Sequence, residues 1–186
     1  PWEIPSRVEA WTVELLRRIS GTPQEAEWLS LLAHCKTATS ARPSSKWKSR
    51  GVAALGRVGT QPFREMLLAL GPLVDAGRLH AMVGPGWENI DERQRMQEGN
   101  ANVLRGLVWL TPEAADTALT RAVGKLAGSA FRKVCGLGPR AVKVGNACLY
   151  ALTQMSGPDA VGQLAILRSR VKTASAQKEI DKAFTA

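Results

Sequence analysis

Ala115-Asp-Thr-Ala-Leu-Thr-Arg-Ala-Val-Gly-Lys-Leu-Ala-Gly-Ser-Ala-Phe-Arg-Lys-Val134 is the stretch from which the fold class is read. Its apolar residues Ala115, Ala118, Leu119, Ala122, Val123, Leu126, Ala127, Ala130, Phe131 and Val134 recur at i, i+3, i+4 and i+7. That spacing puts one greasy stripe on a 3.6-residue period and predicts an amphipathic helix of more than five turns. Such a helix must bury its stripe against other elements, so the rest of the chain is searched for partners of the same kind.

It supplies them on both sides. Upstream, Val8, Trp11, Leu15 and Ile19 mark a first helix, Trp28, Leu31, Leu32 and Cys35 a second, and Trp47, Val52, Leu55 and Val58 a third. A fourth covers about 61–71, and a fifth ends in Val103, Leu104, Leu107, Val108 and Leu110. Downstream, Val144, Cys148, Leu149, Leu152 and Met155 form the spine of a seventh, followed by shorter helices near 158–171 and 174–185. Alternating β-branched runs are absent, so no strand is predicted. Trp11, Trp28 and Trp109 sit on these apolar faces and read as core.

Prolines punctuate the pattern at Pro23, Pro43, Pro62, Pro112, Pro139 and Pro158, each where a helix is expected to begin, because a first-turn proline forfeits no hydrogen bond. Thr22-Pro23-Gln24-Glu25 reads as a capping box, and Thr111-Pro112-Glu113 repeats the logic. Pro23 to Pro62 and Pro112 to Pro158 span 39 and 46 residues, each enclosing two helices. These periods resemble HEAT or armadillo repeats, at roughly 40–47 residues each. The expected fold is therefore all-α, stacked antiparallel helix pairs in a HEAT/armadillo-like short solenoid, with an irregular helical bundle as the alternative.

The 186 residues suit one domain, 1–186, and a chain that opens on Pro1 without Met reads as a piece trimmed from a longer one. The turn-rich, then polar, segment of about 84–100 is expected to separate two halves of the stack and is a candidate recognition loop. Cys35, Cys135 and Cys148 lie far apart in apolar stretches, which reads as buried structural thiols in a reducing compartment. No apolar run is long enough for a membrane span and no leader precedes the first helix, so the expected location is cytoplasmic with no membrane partner.

Charge is the unusual bulk property. The chain carries 25 Lys or Arg against 16 Asp or Glu, and residues 120–186 hold 11 of the former and 3 of the latter, leaving 14 against 13 for residues 1–119. The last third is therefore net +8 of a total +9. A one-signed field concentrates anionic partners, whether nucleic acid or acidic protein.

Known catalytic signatures are missing. His34 and His80 are the only histidines; His34 adjoins Cys35 on a helix, and His80 lies near a helix end. No histidine pair, paired-cysteine spacing or Gly-rich Lys-Ser loop offers a metal or nucleotide site, so no cofactor is expected. Glu88, Asp91 and Glu92 cluster beside Trp87 and are the only acid–base candidates, weighed against the far commoner case of exposed carboxylates.

Two basic clusters are the binding candidates. Lys46, Lys48 and Arg50 surround Trp47 at a helix start, where the indole either packs inward or stacks on a base. Val134-Cys135-Gly136-Leu137-Gly138-Pro139-Arg140 resembles the hairpin of helix-hairpin-helix DNA-binding elements, whose glycines let backbone amides approach a phosphate. Arg132, Lys133, Arg140 and Lys143 would surround that phosphate. Lys143 stands where the element usually has Ala, and a plain tight turn explains the glycines equally well.

Asn102-Val103-Leu104-Arg105-Gly106-Leu107-Val108-Trp109-Leu110, Gly136–Arg140 and Gly145-Asn146-Ala147-Cys148-Leu149-Tyr150-Ala151-Leu152 resemble segments of the uncharacterised bacterial proteins grouped with MolR. The similarity extends to Leu164, Leu167, Arg170, Val171 and Lys172 ahead of Ile180-Asp181-Lys182-Ala183, and covers about 25–186. It implies a helical-repeat region of longer proteins, some with a WGR module, and no catalytic set.

Three functions follow as expectations. The first is a non-catalytic binding or scaffold module with a basic surface for nucleic acid or acidic protein. The second is a nucleic-acid-processing enzyme of the HEAT-like DNA glycosylase type, a fold-level analogy. The third is a structural segment docked on an acidic neighbouring domain.

Overall fold

The predicted helices are all present, with their ends shifted by a few residues. A computed structural model describes residues 5–79, 94–136 and 138–185. Among them run α1 (Ala10–Ile19), α2 (Glu25–Lys36), α3 (Ser45–Val58), α4 (Thr60–Val74), α5 (Glu98–Leu110), α6 (Thr117–Phe131), α7 (Val142–Gln154), α8 (Pro158–Arg170) and α9 (Ala174–Phe184). The fold is all-α, built from packed helix pairs.

Where helices begin departs from the proline reading in instructive ways. Pro158 opens α8 and Pro62 lies in the first turn of α4, but Pro112 starts a 3-10 turn, Thr111–Ala114, and Pro23, Pro43 and Pro139 precede their helices by two or three residues. The long sixth helix begins later than its stripe suggests, because Asp116 caps it by accepting from the Leu119 amide at 2.8 Å. It also ends earlier, at Phe131. The Thr22–Glu25 box does not form: Glu25 Oε2 accepts from the Gly21 amide at 2.7 Å instead of from Thr22, and the Thr22 hydroxyl donates backward to the Ile19 carbonyl.

Contacts along the helices fix their directions. α4 and α6 run parallel, since Arg64 meets Asp116 near their starts and Asp75 meets Ser129 near their ends. α6 and α8 do the same, through Thr117 with Asp159 and Gly128 facing Leu167. α5 and α7 begin together at the Glu98–Lys143 pair. α6 and α7 run antiparallel, since Phe131 at the end of α6 covers Gly145 at the start of α7; late in α8, Arg168 pairs with Asp181 of α9. One row is thus α4, α6 and α8; the other is α2, α5, α7 and α9, with α1 packed on α4 and α3 on α2.

The core is continuous between the rows. α5 is its axis, with both faces buried from Val103 to Leu110, which fits a helix flanked by α2, α3 and α7. Gly106 lets α2 come close: a Cβ there would lie 2.6 Å from the Cys35 Cα. Trp11, Trp28 and Trp109 are all fully or nearly buried, as their spacing implies. Cys35 and Cys148 are buried too, and burial pushes both thiols well above their ordinary range. Cys135 departs from the expectation and is exposed. Helices that flank residues 80–93 pack across that break, α4 on α6 and α2 on α5.

One small sheet was not predicted. β1 (Lys133–Val134) pairs antiparallel with β2 (Gly138–Pro139), with Lys133 opposite Pro139, in the connection from α6 to α7. Two residues per strand are too few to show an alternation. Gly136 and Gly138 hold φ of +74° and +81°, which explains glycine at both positions. No described helix is long and apolar enough to cross a membrane.

Candidate anion-binding groove

Three parallel helices end on one side of the molecule, and the predicted hairpin folds over them. Arg140 lies at its centre, and its guanidinium faces inward with a side chain only 2% exposed. Nε donates to the Gln94 carbonyl at 2.8 Å, Nη1 to the Ser129 hydroxyl at 2.9 Å, and Nη2 to the Val74 carbonyl. The last bond caps α4. Asp75 Oδ1 stands 3.6 Å from Nη1, and burial still pulls the guanidinium below its usual range.

The phosphate cradle expected at this hairpin does not survive that geometry. The Arg140 amide donates to the Arg132 carbonyl and the Ala141 amide to the Ala130 carbonyl, each at 2.9 Å. Those donors are engaged with the backbone, and α7 begins only at Val142, with Arg140 withdrawn beneath it. Leu137 lies outside the described residues. Arg140 is therefore corrected from a candidate ligand to a structural clasp.

The remaining candidates scatter. Lys143 is exposed and pairs with Glu98 Oε1 at 2.6 Å, on the α5 side; the ammonium holds that carboxyl below its usual range. Lys46 and Arg50 are exposed, and Lys48 lies 3.3 Å from Glu113. Trp47 between them packs inward: its ring stacks on His34 at 4.4 Å and meets Trp109 edge-on at 5.0 Å, while its indole N–H donates to Thr37 Oγ1. His34 Nε2 lies 3.0 Å from the Trp47 carbonyl, and burial lowers the imidazole's pKa. One face of the Trp47 ring is thus taken up by His34. His80, Trp87, Glu88, Asp91 and Glu92 lie outside the described residues, as does most of the 84–100 segment.

Arg132 and Lys133 remain, and the structure gives them company. They stand at the mouth of a groove of about 1150 Å³ between α6 and α8. Arg121 and Lys125 come from α6, Arg170 from the end of α8 and Lys172 from just beyond it. All six cations are exposed, and Asp75 is the only carboxylate among the described lining residues. Arg121 reaches Asp159 at 3.2 Å, and Arg132 reaches Gln94 Oε1 at 2.8 Å. Lys125, Lys133, Arg170 and Lys172 have no such partner among the described residues.

The floor differs from the rim. Phe131, Pro139, Ile166, Leu167 and Val171 form it, with Gly124 and Gly128 on the α6 side letting Gln163 and Leu167 of α8 come close. Ile166 is 43% exposed there. Sequence reasoning named only Arg132 and Lys133 of this set. The +8 of the last third was the available signal, but α6 and α8 must be known to lie side by side before Lys125 and Arg170 can be placed in one groove.

Sequence reasoning also passed over Glu9. Its carboxylate is 2% exposed and accepts from the Trp11 indole at 2.7 Å, the Gln97 amide at 2.6 Å and Asn100 Nδ2 at 3.2 Å. Burial raises its pKa against those donors. It ties the start of α1 to the start of α5. Among the described residues no cluster of three His, Cys, Asp or Glu is placed to hold a metal ion.

Compared with known proteins, the chain matches no family model, no curated protein and no solved structure.

Proposed function

We propose that this chain is a non-catalytic binding module that presents the α6–α8 groove to an anionic macromolecule. The observation that carries the reading is six exposed cations against one carboxylate around a single valley. Part of that charge has a simpler use. Parallel α4, α6 and α8 gather their negative helix ends on one side, and Arg132 and Arg170 sit where cations complement such dipoles. The dipole effect fades within a turn. It does not account for Arg121 and Lys125, which stand well inside α6, or for Lys172 beyond α8.

The two-row packing supports a HEAT-like short stack, since such solenoids bind partners along the grooves between repeated helices. The resemblance to MolR-grouped helical-repeat regions belongs to the same proposal, as does a cytoplasmic setting for three unpaired thiols.

The test is fluorescence-anisotropy binding of labelled single-stranded DNA, duplex DNA and polyglutamate at low and moderate salt. Lys125→Glu combined with Arg170→Glu is the variant, because both side chains are exposed and folding is kept. Micromolar binding that weakens with salt and disappears in the variant is expected. No binding of any polyanion at low salt would overturn the reading. Arg140→Glu is unsuitable, because it would break the clasp and confuse misfolding with lost binding.

A further inference from the structure

Resting on that reading, we infer that the groove takes a short acidic peptide segment with aliphatic anchors, as opposed to a nucleic acid. Packed helices stand roughly 8–10 Å apart, so the valley between α6 and α8 is far narrower than a DNA duplex. A duplex would touch the rim cations and leave the floor empty. A single strand would fit the width, but unpaired bases gain their sequence-tolerant affinity by stacking on exposed aromatic faces. Among the described lining residues Phe131 is the one aromatic, and it is 2% exposed. The exposed floor is aliphatic: Ile166 on one side, with Pro139 half-buried and Leu167 and Val171 at its base.

An aliphatic floor within a cationic rim is complementary to a chain that alternates carboxylates with leucine-like side chains. Lys125 and Arg170 flank the valley from opposite helices, and Lys133 and Lys172 extend the positive edge at its mouth. None of these four is neutralised by a described carboxylate, so each is available to an incoming one. The rim steers the peptide and sets its position; the floor supplies the contact that distinguishes it from any other polyanion.

The experiment uses three labelled probes: an acidic peptide with alternating leucines, a peptide of equal charge with serine for leucine, and a single-stranded oligonucleotide. Each is titrated against the wild type, Ile166→Asp, and the Lys125→Glu, Arg170→Glu double variant. The expected result is binding of the leucine peptide about tenfold or more tighter than the serine peptide for each leucine buried. That preference should vanish in Ile166→Asp, and all binding should vanish in the double variant. Equal affinity for the two peptides, unchanged by Ile166→Asp, would overturn the inference while leaving a polyanion-binding module in place. So would an oligonucleotide that outcompetes the leucine peptide. Absence of all three interactions at low salt would overturn both.

Discussion

Arg140 and Lys143 stand three residues apart with the same formal charge, and burial gives them opposite roles. Removing the Arg140 side chain leaves the Val74 and Gln94 carbonyls without their donor, each a loss of about 1–3 kcal/mol. Arg140→Ala should therefore lower unfolding stability by roughly 2–4 kcal/mol in denaturant titrations. Lys143→Ala, whose partner is equally solvated, should stay within about 0.5 kcal/mol of wild type. Asp116 is the matching acidic case. Arg64 first, then the Leu119 amide, holds its carboxyl below the ordinary value of 3.8. Because the folded pKa lies under the unfolded one, its contribution is present above 3.8 and is lost as pH falls through the lowered value. Asp116→Ala should cost about 1 kcal/mol as a lost cap at neutral pH, and Asp116→Asn less, since it keeps an acceptor. The gap between wild type and Asp116→Asn should close in acid, measured by thermal melts from pH 6 down to about 3. Neither Arg140's burial nor Asp116's pairing with Arg64 is readable from neighbours in sequence, because both partners arrive from α4.

Individual helices were legible because each carries a stripe long enough to average out single exceptions. Their ends were less so: Thr22 fits a capping pattern, yet its hydroxyl donates back to the Ile19 carbonyl, and Pro139 lies in a strand with α7 beginning only at Val142. Glycine positions show the same divide. Gly106 and Gly56 both lie inside helices, and only the packing tells them apart. A methyl at Gly106 would meet the α2 backbone at Cys35, whereas one at Gly56 meets nothing within 4 Å. Gly106→Ala should force α2 and α5 apart and cost on the order of 3 kcal/mol or more, as overpacking against backbone does. Gly56→Ala should stabilise α3 by about 0.5–1 kcal/mol. Chemical denaturation of the two variants side by side checks both signs. The hairpin of β1 and β2 left no trace in the periodicity, although its two glycines marked the turn itself.

The two-row arrangement converts a diffuse charge excess into a localised one. Composition located the positive charge in the last third; only the parallel approach of α6 and α8 brings Lys125 and Arg170 to opposite banks of one valley. Raising salt should accordingly weaken polyanion binding by an amount set by the groove cations, and the single variant Lys125→Ala, which removes one of them, should show a shallower dependence of affinity on salt. The same whole-molecule view gives Arg140 and Glu9 a joint consequence. Arg140 holds Val74 and Gln94 together, and Glu9 pairs in a bridge with Arg78 while accepting from the Gln97 amide. Both feet of the chain between Leu79 and Gln94 are thus fastened from below by independent latches. Closing a tether whose feet are already fixed grows harder only logarithmically with its length, by about 0.6 kcal/mol per doubling. With Leu79 and Gln94 held in this way, sequence inserted between them should cost the rest of the stack little.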